Sequence, residues 1–130
     1  MKILFNNKKF WKNKINTIIW KKKPKTIFLQ KKDKSFRWFI KGKLNLYDEL
    51  IQKNLRKNSN KIAIITVSKN GNIRKYSYKE IDNLCNVFLT NLLSVNKKIK
   101  KVMIQSSATI ESAIAMLALT KRGIFFSVVF

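Results

Sequence analysis

The chain has no histidine, one cysteine, one proline and three glycines among its 130 residues. Without histidine there is no imidazole acid–base catalyst, no Ser-His-Asp or Cys-His system and no His-ligated metal. The single cysteine, Cys85, excludes an internal disulfide and a multi-thiolate zinc site. These thiol and imidazole absences leave a non-redox, non-zinc protein, and we expect it in the reducing cytoplasm.

Acidic residues are also scarce, with 6 Asp and Glu against 29 Lys and Arg, for a net charge of +23. Such a charge can bind phosphate backbones by counterion release, so a small basic RNA- or nucleic-acid-binding protein is one hypothesis. The bases are 25 Lys and only 4 Arg, however, and bidentate recognition favours Arg. The abundance of Lys, Asn, Ile and Phe fits a drift towards A/T-rich codons, which makes nucleic acid the less favoured partner.

Long hydrophobic runs are missing. The longest apolar run near the end, Ala113 to Leu119, is followed by Thr120, Lys121 and Arg122. This run is far shorter than the ~18 residues that a membrane-spanning helix needs. The start of the chain has no apolar region of signal-peptide length. The sequence therefore predicts no membrane partner.

Charge and pattern divide the chain in two. Residues 1–43 hold 15 basic residues and one acid, Asp33. We interpret them as a basic N-terminal arm, irregular apart from one or two short helices. Its aromatic residues would anchor it on a larger body, although a basic-aromatic strap for nucleic acid is the alternative. Those residues are Phe5, Phe10, Trp11, Trp20, Phe28, Phe36, Trp38 and Phe39.

Residues 44–130 show regular patterns. Asn45 can cap a helix over about residues 46–57, whose acids lie in its first turn and bases in its last. The β-branched run at residues 61–68 and the return strand at 73–76 flank Asn70-Gly71, a strong hairpin signal. The pattern predicts a helix followed by a β-hairpin.

A capping box at Ser77 and Glu80 opens the next helix. Its apolar residues recur at helical spacing and include Cys85, which we interpret as a small buried hydrophobe and not as a nucleophile. The stripe consists of Tyr78, Ile81, Leu84, Cys85, Phe88, Leu89 and Leu92.

The last thirty residues predict a strand–helix–strand unit. A strand at residues 101–105 precedes a helix that Ser107 or Thr109 caps and that runs to about Arg122, with Gly123 at its left-handed C-terminal position. The apolar strand at residues 124–130 is typical of a parallel sheet buried on both faces. We expect an α/β fold: a helical or irregular arm, a β-hairpin, and the first βαβ unit of a larger parallel-sheet domain, truncated at the end of this chain.

Four stretches together resemble the acetyl- and propionyl-CoA synthetase branch of the AMP-forming acyl-CoA synthetase (adenylating) superfamily. The first looks like its N-terminal aromatic, Gly and Leu-Asn signature, the second its first hairpin strand, and the third its Tyr-x-Glu helix entry. The fourth looks like its Ala-x-Ala-Met-Leu-Ala and Ser-Val-Val-Phe series, with Phe126 where the family has His. The stretches are residues 36–45, 61–65, 76–81 and 111–130.

The resemblance implies that residues 1–43 are the synthetase's N-terminal arm and that 44–130 begin its AMP-binding α/β domain. The full enzyme would use ATP, Mg²⁺ and coenzyme A to convert a short carboxylic acid, acetate or propionate, into its acyl-CoA. The family's Gly-rich phosphate loop and catalytic motifs have no counterpart here, so we assign no catalytic, cofactor-binding or metal-binding residue. The expected partner is the remainder of the synthetase.

Overall fold

A computed structural model describes residues 8–129. Phe5 of the predicted arm and Phe130 of the predicted last strand lie outside this range. The chain divides into two compact units, the first ending at Asn45 and the second beginning at Leu46. No helix within the described range is long and apolar enough to cross a bilayer.

The first unit contains one helix, α1 (Lys8–Ile15), and four short strands. Strand β1 (Trp20–Lys22) pairs antiparallel with β4 (Lys43–Leu44). Strand β2 (Thr26–Gln30) pairs antiparallel with β3 (Phe36–Ile40). The sequence predicted one or two helices but none of these strands, because frequent lysines obscure the period-2 alternation. Branched and aromatic residues nevertheless favour extended pairing here.

Aromatic side chains form the interior of this first unit. Phe28 faces Trp38 across β2 and β3, with ring centroids 4.8 Å apart. Trp38 also contacts Trp11 at 4.7 Å, and Trp20 contacts Phe39 at 5.5 Å. The Trp20 indole N–H donates to the carbonyl of Ile15 at 2.8 Å. The rings thus pack on one another, while anchoring of the arm on a larger body stays a prediction.

Gly42 is required by the close approach of Trp20. A Cβ at position 42 would lie 2.8 Å from Cζ3 of Trp20 and 3.0 Å from the carbonyl oxygen of Phe39. We expect Gly42→Ala to destabilise this unit by about 1–3 kcal/mol through overpacking. Denaturant titration followed by tryptophan fluorescence measures this, since all three tryptophans precede residue 45. The exposed control Lys43→Ala should change stability by no more than about 0.5 kcal/mol; equal stability of the two variants would contradict the prediction.

The second unit opens with one helical segment, in which a π-helical turn at Asp48–Gln52 leads into α2 (Lys53–Asn58). The helix was predicted here, but the π turn was not. Strands β5 (Ile62–Val67) and β6 (Ile73–Ser77) form the predicted antiparallel hairpin. Gly71 adopts φ +77° in the turn, as the Asn-Gly signal indicates.

The next helix, α3 (Tyr78–Val95), begins at the predicted capping box. The Glu80 N–H donates to Ser77 Oγ at 3.2 Å, and the Ser77 N–H donates to Glu80 Oε2 at 2.7 Å. The predicted apolar stripe faces the core, except that Leu84 is exposed. Its buried members belong to a cluster made of Tyr47, Ile51, Tyr76, Ile81, Cys85, Leu89, Ile114 and Ala118.

The strand–helix–strand unit is confirmed. Strands β7 (Lys101–Gln105) and β8 (Phe125–Val129) are parallel and flank α4 (Ile110–Arg122). Thr109 is the N-cap of α4, and Gly123 ends it with φ +74°. This is the α/β architecture that the sequence predicted.

The prediction that β8 is buried on both faces is wrong for the described residues. Phe125 is 77% exposed and Met103 73% exposed. Within residues 8–129 the sheet has only two strands, and α4 packs on one of its faces. The apolar residues that point away from α4 therefore meet solvent.

Candidate functional site

The most connected polar cluster in the second unit centres on Asp82, near the start of α3. Its Oδ1 accepts hydrogen bonds from the hydroxyl of Tyr47 at 2.6 Å and from Nζ of Lys121 at 2.7 Å. The side-chain amides of Gln52, at 3.3 Å, and Asn86, at 3.2 Å, also donate to this carboxylate. Asp82 thus joins the π-helical segment, α3 and the last turn of α4.

The ionisation of this cluster follows from its contacts. Burial works to raise the pKa of Asp82, but hydrogen bonds from Lys121 and Tyr47 outweigh it and lower that pKa below its usual value. Burial, with the hydrogen bond to Asp82, raises the pKa of Tyr47 well above its ordinary value. The carboxylate is therefore ionised and the phenol protonated at neutral pH.

Lys121 completes the charge balance. Its Nζ also donates to Oδ1 of Asn86 at 2.6 Å and lies 4.8 Å from the ring centroid of Tyr47. A lysine held by a carboxylate, an amide and an aromatic face has its charge compensated on several sides. The cluster connects helices; it offers neither a poised general base nor an activated nucleophile.

Cys85 lies beside this cluster and is completely buried. Burial raises the pKa of its thiol to about 11. The Sγ atom lies 3.7 Å from the carbonyl oxygen of Ile114, at weak hydrogen-bond distance. A protonated, enclosed thiol is unreactive, so the interpretation of Cys85 as a small buried hydrophobe is confirmed.

Two open clefts flank the N-terminal half of α4. One, of about 720 Å³, lies between the hairpin and α4; the other, of about 360 Å³, lies between α3 and α4. Arg74 lines both and stacks over the ring of Tyr76, with its guanidinium 4.7 Å from the ring centroid. Glu111 lines both as well, and hydrogen bonds from its own backbone N–H and from Thr109 lower the pKa of its carboxyl.

The residues that carried the family resemblance are scattered over the second unit and do not converge on one point. Glu111 is exposed in the first turn of α4, whereas Phe126 and Ser127 lie on β8. Sequence reasoning missed the pair of Asp82 and Lys121, which are 39 residues apart. No motif marks such a pair; only the packing of α3 against α4 brings it together.

Comparison with known proteins agrees with the resemblance. A family model described as the acetyl-coenzyme A synthetase N-terminus matches residues 3–49. The acetyl-coenzyme A synthetase of gamma-proteobacterium EBAC31A08 is 36% identical over 125 residues, which are 94% of this chain and 19% of that protein. The acetyl-coenzyme A synthetase of Methylobacillus flagellatus is 34% identical over 96 residues, which are 73% of this chain and 15% of that protein.

The fold has counterparts among solved structures. An acetoacetyl-CoA synthetase from Streptomyces lividans superposes with a TM-score of 0.73 over 92% of this chain and 19% of its own. At 15% identity, that likeness concerns the fold alone. The matched region covers less than a fifth of each curated relative named above.

The nucleic-acid-binding alternative has no support from these matches. The identities to two acetyl-coenzyme A synthetases and the match to the N-terminal family model all lead to one family. This chain belongs to the acetyl-coenzyme A synthetase family and corresponds to the N-terminal portion of its members.

Proposed function

We propose that this chain is the N-terminal part of a cytoplasmic short-chain acyl-CoA synthetase. The complete enzyme would condense acetate or propionate with ATP to give an acyl-adenylate and pyrophosphate. The thiol of coenzyme A would then displace AMP to give the acyl-CoA. The observation that carries this proposal is the 36% identity to an acetyl-coenzyme A synthetase over 94% of the chain.

In this proposal the 130 residues act as scaffold: residues 1–43 as the N-terminal arm, and 44–130 as the beginning of the AMP-binding domain. The remainder of the synthetase is their partner. The strand–helix–strand unit would start the parallel sheet, with β8 directed towards the substrate and nucleotide cleft.

The residues present do not fit a site for ATP and Mg²⁺. Gly71 lies in the hairpin turn and Gly123 at the end of α4, so neither belongs to a phosphate-binding loop. Residues 8–129 contain no cluster of three or more Asp, Glu or Cys side chains that could hold a metal ion. We therefore route no catalytic step through this chain, and the nucleotide, magnesium and coenzyme A are assigned to the remainder of the enzyme.

A chimera tests the proposed function. Residues 1–130 would replace the matched segment of the Methylobacillus flagellatus acetyl-coenzyme A synthetase, and formation of acetyl-CoA from acetate, ATP and coenzyme A would be measured. We expect activity from the chimera and none from the isolated chain, because adenylation needs a phosphate loop that the chain lacks.

Two controls accompany this test. The Methylobacillus flagellatus enzyme without the matched segment should be inactive, which shows that the segment is needed. An inactive but folded chimera would contradict the proposed function. Acetate- or propionate-dependent exchange of pyrophosphate into ATP by the isolated chain would contradict its role as scaffold alone.

A further inference from the structure

The β7–β8 sheet has an apolar face that points away from α4. Parallel pairing places Lys101 beside Phe125, Met103 beside Ser127 and Gln105 beside Val129. Because alternate residues of a strand share a face, these six side chains lie on one side of the sheet. We call this side the outer sheet face: Lys101, Met103, Gln105, Phe125, Ser127 and Val129.

Solvent exposure of this face is unusual for a parallel sheet. Phe125 and Met103 are 77% and 73% exposed, and Val129 is also exposed. Parallel sheets are almost always covered on both faces, whereas an antiparallel hairpin can leave one face in water. The exposed apolar residues on the β5–β6 hairpin therefore need no cover, while those on the outer sheet face do.

We propose that the outer sheet face is the docking surface for the remaining polypeptide of the synthetase. The proposal rests on the proposed function. Relatives of this chain are more than five times as long as the region that matches, so most of their polypeptide lies beyond it. The occupant is an apolar layer from that polypeptide, which contacts Met103, Phe125 and Val129.

The composition of the face also describes its occupant. Met103, Phe125 and Val129 are apolar, whereas Lys101 and Gln105 lie at opposite ends of β7. An apolar centre with a polar rim is the usual anatomy of a protein interface. The occupant should therefore present aliphatic or aromatic side chains to Phe125 and an acidic or polar group to Lys101.

Thiol labelling tests the proposal. Cys85 is the only cysteine of the chain and is buried, so it reports whether the second unit is folded. We would introduce Met103→Cys or Phe125→Cys into the 130-residue chain and into the chimera, and map labelling rates by mass spectrometry. We expect fast labelling of both positions in the chain and labelling about 100-fold slower in the chimera.

Val95→Cys is the matched control, because Val95 is 87% exposed and ends α3. It should react equally fast in both proteins. Fast labelling at 103 and 125 in the chimera, with Cys85 protected, would overturn the proposal, as would equal protection of position 95. Protection that grows with concentration of the 130-residue chain would overturn it in favour of a second copy as occupant.

A second variant keeps the test independent of labelling. Phe125→Asp should lower the melting temperature of the chimera by about 5 °C and leave that of the isolated chain unchanged. No change in either protein would overturn the proposal. An active chimera that labels fast at position 125 rejects the docking surface alone, and a folded, inactive chimera that protects it rejects the proposed function alone.

Discussion

Ile81→Ala is expected to destabilise the second unit by about 3 kcal/mol. Ile81 lies in the first turns of α3, is completely buried and belongs to the same apolar cluster as Tyr47, Cys85 and Ile114. Truncation removes most of its contacts and leaves a cavity, because neighbouring helices relax only in part. Alanine has the higher helix propensity, which offsets only a few tenths of a kcal/mol.

Denaturant unfolding followed by circular dichroism measures this effect, since α3 and α4 dominate the helical signal. Val87→Ala in the same helix is the matched control, because Val87 is 58% exposed. We expect it to change the free energy of unfolding by no more than about 0.5 kcal/mol. A loss below about 1 kcal/mol for Ile81→Ala would mean that this cluster does not hold the unit together.

Local signals made much of the second unit predictable. The bond between Ser77 and Glu80 involves residues three apart, and Gly123 ends a helix through its own backbone conformation. The apolar periodicity of α3 indicated its buried face before any contact was known. Where a single segment contains both the signal and its partner, the sequence suffices to place the helix or strand.

The features that were missed depend on distant parts of the chain. Tyr47 and Asp82 are 35 residues apart, and their hydrogen bond forms only when α3 packs beside the π-helical turn. Exposure of Phe125 depends on what covers the sheet, which strand composition does not specify. The strands of the first unit escaped prediction because their pairing, such as Phe28 with Trp38, shows no turn motif of the Asn-Gly kind.

Asp82→Ala is expected to lower the free energy of unfolding by about 2–3 kcal/mol at neutral pH. The variant removes the acceptor of the buried Tyr47 hydroxyl and the counter-charge of Lys121. Lys121 keeps its bond to Asn86, and the side chains of Asp82 and Lys121 are 21% and 26% exposed, so solvent moderates the loss. Chemical denaturation of the wild-type and variant chains gives the difference.

The pH dependence of that difference follows from the pKa of Asp82, which is lower in the folded chain than its reference value of 3.8. Stabilisation by the carboxylate is therefore present above the unfolded pKa and is lost as pH falls through the folded one. The gap between wild type and Asp82→Ala should narrow on acidification. A gap that stays constant through this range would show that charge plays no part in the cluster.

A double-mutant cycle with Lys121→Met separates the ion pair from the other bonds of Asp82. We expect a coupling energy of about 1–2 kcal/mol between positions 82 and 121, since the two side chains contact directly. The exposed pair of Glu49 and Lys53 is the control, because one turn of helix separates them and solvent screens them. Its coupling should stay below about 0.5 kcal/mol. Equal coupling in the two pairs would mean that Asp82 acts as an ordinary surface charge, and that packing alone joins α3 to α4.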